Sequence, residues 1–246
     1  MKKVINFLIN TNILLVSFVL SIFDEIYQRK IIRKFKELFN KEINMVFDVG
    51  AHRGEFTNLI LKNFSINNME LFEPNPKSFE YLKNKIKQEK IKVNDYALGE
   101  KEDEKKFKLM KESSSSTLSE INKNTKYFKR KNFILNFGLS SGIFEEIKIK
   151  TYSGLKIIKE KKIDKIDLLK IDTEGYEYFV LRGFQEDIAK IKVIFFEHHY
   201  DKMIVKNYTF SDIHGYLTSK NFTQNSKFKM PFRKSFEYIY TNKDYF

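Results

Sequence analysis

MVFDVGAHRGEF, residues 45–56, decides the fold. Met45 to Val49 is a short apolar run of the kind that makes a buried strand, and it stops at Gly50. From Glu55 the periodicity changes. Phe56, Leu59, Ile60 and Phe64 recur at helical intervals and predict a helix over Glu55–Phe64. A strand that enters a helix through a glycine turn is the opening unit of an open α/β sheet, whose ligands bind beyond the strand C-termini. Gly50 lets the backbone turn sharply near a ligand, Gly54 lets the helix pack close, and the helix N-terminus is expected to offer free amides.

The same rhythm continues outward. Met69–Phe72 reads as a second strand closed by Glu73-Pro74-Asn75-Pro76, a helix follows near Lys77–Lys90, and Val93–Leu98 reads as a third strand. Residues 99–145 break the pattern with charged Glu100–Lys108, polar Ser113–Thr117 and basic Lys123–Lys131, which reads as an inserted lid region. Strands are then expected at Ile147–Tyr152, Leu168–Ile171 and Val193–Phe196. Helices are expected at Tyr176–Phe184, with Gly183 as its cap, and near Ser211–Lys220. Two last strands fall around Phe222–Phe228 and Phe236–Tyr240. The order implies one open α/β sheet with parallel pairing and right-handed crossovers.

Composition narrows the chemistry. The 246 residues contain no Cys, which removes disulfide scaffolds, thiol catalysis and thiolate metal sites. The net charge of +13 would suit nucleic acid, but only six of the 45 basic residues are Arg and the Lys are dispersed, as on a solvated surface.

Glu73 stands at the second strand end, where an acid accepts hydrogen bonds from both ribose hydroxyls of a nucleotide-like ligand. Spacing alone suits a nicotinamide cofactor and S-adenosylmethionine equally. His52, however, replaces the middle glycine that a pyrophosphate requires. The second constellation is Lys170-Ile-Asp172-Thr-Glu174-Gly175-Tyr-Glu177, which follows a buried strand and opens a helix. Helix capping accounts for some of its three carboxylates, but not for Asp172 ending an apolar strand at the ligand edge. Phe196-Glu197-His198-His199 ends the next strand and adds titratable groups there.

VFDVGAHRGEFT, LFEPNPKSFEYL, ALGEKE, SSSSTL and IDLLKIDTEGYEYFVLRG, together and in this order, resemble the FkbM-type methyltransferase family over residues 44–200. The resemblance implies a class I S-adenosylmethionine-dependent methyltransferase, a Rossmann-like, mostly parallel seven-stranded sheet with an antiparallel last strand. It implies O-methylation of a sugar, glycan or glycolipid-type acceptor. Carried over, Asp48, Gly50, Ala51 and Gly54 match the loop around the methionine moiety. Glu73 matches the ribose acid, with Pro74 and Asn75 beside the adenine. Ala97 and Leu98 flank the adenine, Asp95 is within reach of its amino group, and Asp172 lies close to donor and acceptor. A base near the crevice would assist an alcohol acceptor, and His198, Asp172 and Glu174 are the candidates, His198 favoured on chemistry. Asp172, Glu174, Glu197 and His198 would also make an oxygen-rich site for a divalent metal, which nothing in the spacing requires.

Two other functions compete. An RNA methyltransferase would use Lys123–Lys131, where Tyr127 and Phe128 could stack bases, and a nicotinamide-dependent oxidoreductase shares the first motif. A further region stands apart. Residues 1–41 are expected to form a helical appendage to a methyltransferase domain over 42–246. Val4–Phe23 is uncharged and flanked by basic residues, and a helix there would sit on the domain, lie on a membrane surface or span it. Asn10 to Asn12 weigh against a span, and no cleavage site follows, so the expected location is cytoplasmic with membrane contact left open.

Overall fold

A computed structural model describes residues 25–110, 115–126, 128–129, 144–231 and 234–246. The expectations for Val4–Phe23, Ser113, Tyr127 and Lys131 therefore lie outside the described residues. A helix over residues 25–38 (α1) comes first. There follow β1 (Glu42–Val49), α2 (Glu55–Asn63), β2 (Ser65–Phe72), α3 (Pro76–Lys85), β3 (Ile91–Asn94), β4 (Ala97–Gly99), β5 (Asp103–Met110) and β6 (Glu120–Ile121). The chain continues with β7 (Phe144–Ser153), α4 (Gly154–Glu160), β8 (Ile166–Ile171), α5 (Glu177–Arg182), β9 (Ile191–His199), β10 (Ile204–Val205), α6 (Phe210–Ser219), β11 (Phe222–Lys229) and β12 (Ser235–Asn242).

Seven strands form the central sheet in the order β11-β12-β9-β8-β1-β2-β3. β1, β2, β3, β8 and β9 pair in parallel, whereas β12 runs antiparallel to both β9 and β11. That is the Rossmann-like α/β sheet with an antiparallel ending that the resemblance implies. β8 is buried at all six residues because helices cover both faces. On one face α1, α2 and α3 pack Ile31, Phe35, Ile60 and Leu82 against Val46, Leu168, Val193 and Phe195. On the other, α4, α5 and α6 pack Ile158, Val180, Leu181 and Ile213 against Phe47, Leu169, Ile194 and Phe196. Successive strand residues thus divide between two cores, as the period-two pleat requires. Tyr27, Ile31 and Phe35 recur every four residues, so α1 lays one stripe on the sheet, and Phe35 meets Phe195 edge-on at 5.3 Å.

One local expectation is corrected. The third strand is not continuous: β3 ends at Asn94, and after Asp95 and Tyr96 the chain joins a different sheet, where β4 pairs with β7. The Tyr96 hydroxyl donates to the Asn94 side-chain oxygen across this break. Gly183 caps its helix as expected, in an ordinary right-handed conformation, φ −65°. Its need for glycine is contact, because a Cβ there would fall 2.0 Å from the Gly99 carbonyl oxygen.

Candidate active site

The β1–α2 turn is built from left-handed residues at alternate positions. Gly50 has φ +76°, His52 +48° and Gly54 +81°. A Cβ on Gly50 would lie 1.9 Å from the Asp172 carbonyl oxygen, so glycine is what allows the two motif turns to touch. The turn consumes its own amides. Gly50 and Ala51 donate to the Phe72 carbonyl, His52 to Glu73 at 2.7 Å, Arg53 to Glu55 and Gly54 to the Ala51 carbonyl. The amides of the turn that leads into α2 are therefore taken. No amide from Gly50 to Gly54 remains for a phosphate.

Glu73 is buried, with one oxygen accepting from His52 and the other from the Asn75 amide at 2.8 Å. Burial pushes its carboxyl up to about 7, although the two N–H donors and the charges of His52 and Lys170 pull the other way.

Beneath the turn, β8 places Lys170 directly across from Asp48. The ammonium donates to the Gly50 carbonyl at 2.8 Å, and it lies 3.0 Å from Asp48 and 3.9 Å from Asp172. Burial opposes the charge on Lys170, but Asp48 and Asp172 outweigh it and raise the ammonium above its ordinary value. Asp48 also accepts the Thr57 hydroxyl at 2.8 Å. One buried cation therefore ties the first motif turn to the second.

The second turn is held by side chains. The fully buried Glu177 accepts the Gly175 amide at 2.8 Å, the Thr173 hydroxyl at 3.1 Å and the Tyr208 hydroxyl at 2.7 Å. From outside, Thr117 donates to the Glu174 carbonyl and Ser119 to the Gly175 carbonyl, both at 2.7 Å. Beside it, His199 lies 3.1 Å from Glu174 and 3.2 Å from Glu197. The donor geometry is poor, so these contacts are ionic in character rather than in-line hydrogen bonds. Burial alone would lower His199, but the flanking carboxylates, Glu174 foremost, hold its ring protonated. Glu197 is raised, chiefly by burial and then by the charge of Asp172.

Around these turns runs a cavity of about 470 Å³. Of the expected cofactor residues, Gly50, Ala51, Glu73, Pro74, Ala97, Leu98 and Asp172 line it, as does Glu174 from the catalytic set. Asp48 lies below its floor, and Gly54 shapes the turn without reaching it. Asn75 does not face the cavity. Its side-chain oxygen caps α3 by accepting from Lys77 and Ser78. Asp95 is exposed and faces a separate groove between α3 and the β4-β7-β5 sheet.

His198 is also absent from the cavity wall. Phe195 and His199 share one face of β9, and His198 projects from the other, against Tyr200, Tyr208 and Phe210. Burial, then the nearby charges of Lys206 and His199, depress its ring to about 3, so it is a feeble base. Among the described residues no three His, Asp or Glu are arranged to hold a metal ion.

Sequence reasoning missed Lys170, the Thr117–Ser119 clamp and the wall supplied by α1. The available signal for Lys170 was a lone cation inside the apolar run Leu168–Ile171, two residues before Asp172.

The family model for the methyltransferase FkbM domain matches residues 48–223. Among solved structures, the chain is similar to a methyltransferase FkbM from Methylobacillus flagellatus KT, with TM-score 0.53 and 16% identity over 82% of this chain. The match spans only 44% of that chain's length. It also resembles an S-adenosylmethionine-dependent methyltransferase from Clostridium acetobutylicum ATCC 824, with TM-score 0.45, 12% identity and coverage of 87% and 90% of the two chains. A third likeness is to M. capricolum TrmK in complex with S-adenosyl-homocysteine, with TM-score 0.43, 13% identity and coverage of 86% and 67%. No curated protein matches the sequence.

Proposed function

The chain belongs to the FkbM methyltransferase domain family, and from that premise we propose that it transfers a methyl group from S-adenosylmethionine to a hydroxyl of a sugar, glycan or glycolipid-type acceptor. The observation that carries the choice of cofactor is the amide-saturated turn beside Glu73. A ribose needs an acid such as Glu73, whereas a dinucleotide also needs backbone amides for its pyrophosphate, and this turn has already spent them. The residues present therefore fit S-adenosylmethionine better than a nicotinamide cofactor.

When bound, the cofactor supplies an electrophilic methyl on a sulfonium. Glu73 accepts the ribose hydroxyls through its remaining lone pairs, and Pro74, Ala97 and Leu98 offer an apolar slot for the base. The Gly50–His52 backbone sets the amino-acid end. Asp172 is the group proposed to take the acceptor's proton. Its side chain is 38% exposed and its ionic partner Lys170 is 3.9 Å away, so it keeps lone pairs for an incoming hydroxyl. Glu174, by contrast, is committed to His199. The chain's main contribution is orientation, with a base adding typically ~10²–10⁴-fold.

Calorimetric titration with S-adenosylhomocysteine and with NADH checks the donor, and the expected result is binding of the first alone. Incubation with methyl-labelled S-adenosylmethionine and a cell extract of the source organism, separated into glycan, lipid and RNA fractions, checks the acceptor. Label in glycan or glycolipid supports the reading, and label confined to RNA overturns it.

A further inference from the structure

One wall of the cavity is α1, tied to β12 where the Tyr27 hydroxyl donates to Glu237 at 2.7 Å. Another is the second motif turn, through Asp172, Thr173 and Glu174. That turn departs from ordinary backbone geometry. Glu174 has φ +52° and Gly175 φ +94°. Glycine accepts such a φ without steric penalty, but a residue with a Cβ does not, so a glutamate here favours a right-handed backbone when left to itself. A left-handed residue other than glycine persists where its surroundings over-determine it.

Main-chain bonds fix the turn on either side of Glu174. The Asp172 amide donates to the Val49 carbonyl at 2.9 Å, the Gly175 amide to Glu177 at 2.8 Å, and Thr117 grips the Glu174 carbonyl. The Glu174 side chain has an anchor of its own. His199 lies 3.1 Å from it, and the same ring nitrogen lies 3.2 Å from Glu197, while the other nitrogen lies 3.6 Å from Asp201. The ring is buried and protonated, so its pull on Glu174 is ionic and depends little on angle. It is also rooted in the sheet, because β9 pairs with β8 on one side and β12 on the other. Asp172 stands two residues before Glu174, with its carbonyl packed against Gly50. A turn that relaxed at Glu174 would carry the Asp172 carboxylate with it.

We infer that His199 is a positioning residue for methyl transfer: from the end of β9 it holds Glu174 in its left-handed conformation and so aims the Asp172 carboxylate into the cavity. The inference rests on the reading that Asp172 takes the acceptor's proton. His199 is not part of the cavity wall and acts only through Glu174.

The test compares two substitutions that lose the same carboxylate. Glu174→Ala removes the grip and keeps the left-handed penalty, whereas Glu174→Gly removes both. Methyl-labelled S-adenosylmethionine is the donor, and the glycan and lipid fractions of a cell extract are the acceptor. His199→Asn and Glu174→Ala are each expected to cut the rate at saturating S-adenosylmethionine about tenfold, with KM for that donor within threefold of wild type. Glu174→Gly is expected to run about fivefold faster than Glu174→Ala, and adding it to His199→Asn should recover a similar factor. Glycine no better than alanine would make the carboxylate itself the useful group and overturn the inference. So would a His199→Asn loss that Glu174→Gly does not recover, or a rise in KM as large as the fall in rate. Glu174→Ala carries the same expectation should His199→Asn fail to fold.

A second readout needs no ligand. The backbone amide NMR signals of Gly50 and Asp172 are expected to broaden in His199→Asn and to sharpen again in His199→Asn/Glu174→Gly. Unchanged signals in His199→Asn overturn the inference. Asp172→Asn separates the two readings. A wild-type rate there fails the assignment of Asp172, and the inference with it, whereas an inactive Asp172→Asn beside an unaffected His199→Asn fails the inference alone. If the wild-type protein labels neither fraction, the acceptor reading fails and the amide signals decide the role of His199.

Discussion

The two strand-to-helix turns that meet at the sheet edge solve the same problem with different materials. The β1–α2 turn is written in backbone: alternating left-handed residues, glycines where contact forbids a Cβ, and amides bonded within the turn and to Phe72 and Glu73. The β8–α5 turn is written in side chains: Glu177 of its own helix, Tyr208 from below, and Thr117 and Ser119 from above. The first turn is therefore held by main-chain contacts and is brittle, the second is held by side chains and is adjustable. Lys170 belongs to both, because it holds a carbonyl of one turn and faces a carboxylate of the other.

Removing that shared element should do the most damage. Lys170→Met leaves Asp48 buried without its cation and is expected to cost about 3–5 kcal/mol in chemical denaturation, with donor binding lost. If the variant is as stable as wild type, the two turns are independent and the comparison fails at its joint.

Gly50→Ala attacks the backbone-built turn alone. Its Cβ would collide with main-chain oxygen of Asp172 at a positive φ, so a loss of about 3 kcal/mol is expected, with S-adenosylhomocysteine binding abolished in calorimetry.

The side-chain-built turn should yield by smaller steps. Glu177→Gln keeps one acceptor oxygen and removes the charge that serves Thr173, Gly175 and Tyr208, for an expected cost of about 2 kcal/mol. Methyl transfer should fall more than donor affinity, since the Gly50 turn remains intact. Equal losses in both would mean that Glu177 supports the donor pocket too.

The mildest test needs only pH. Burial raises Glu73 to about 7, so its ionised form, the acceptor for ribose hydroxyls, is lost as pH falls through that value. Affinity for S-adenosylhomocysteine is expected to drop about tenfold from pH 8 to pH 6. In Glu73→Gln the profile should be flat over that window. Stability runs in the opposite direction. A raised carboxyl contributes its stabilisation fully below the unfolded-state value and loses it as pH rises through about 7.

What was legible in the sequence follows the same division. The β1–α2 unit was readable because its determinants lie within a few residues of one another, and Glu73 because it ends the next strand of a regular strand–helix–strand series. The mostly parallel sheet with its antiparallel end was an implication of the family resemblance. The clamp on the second turn was not readable, since Thr117 and Glu174 are 57 positions apart and nothing local in the serine run reveals its partner. His198 was misjudged for another reason. β9 is buried on both faces, so no polar alternation marks which side each residue takes. The break at Asp95 was hidden by an apolar continuation, Ala97 and Leu98, that belongs to a second sheet.

The bond from Tyr27 to Glu237 spans 210 positions of the chain. At about 5–20 residues per second of synthesis, the tyrosine waits roughly 10–40 s for its carboxylate to be made. Until β12 is added, the α1 wall lacks its anchor, and the half-built sheet exposes β9 as an edge. The cavity beside α1 is thus closed by the last of the described strands, whereas the glycine turn and Glu73 are in place within the first third of the given sequence. A nascent chain can hold the parts of a donor pocket long before it can enclose anything else.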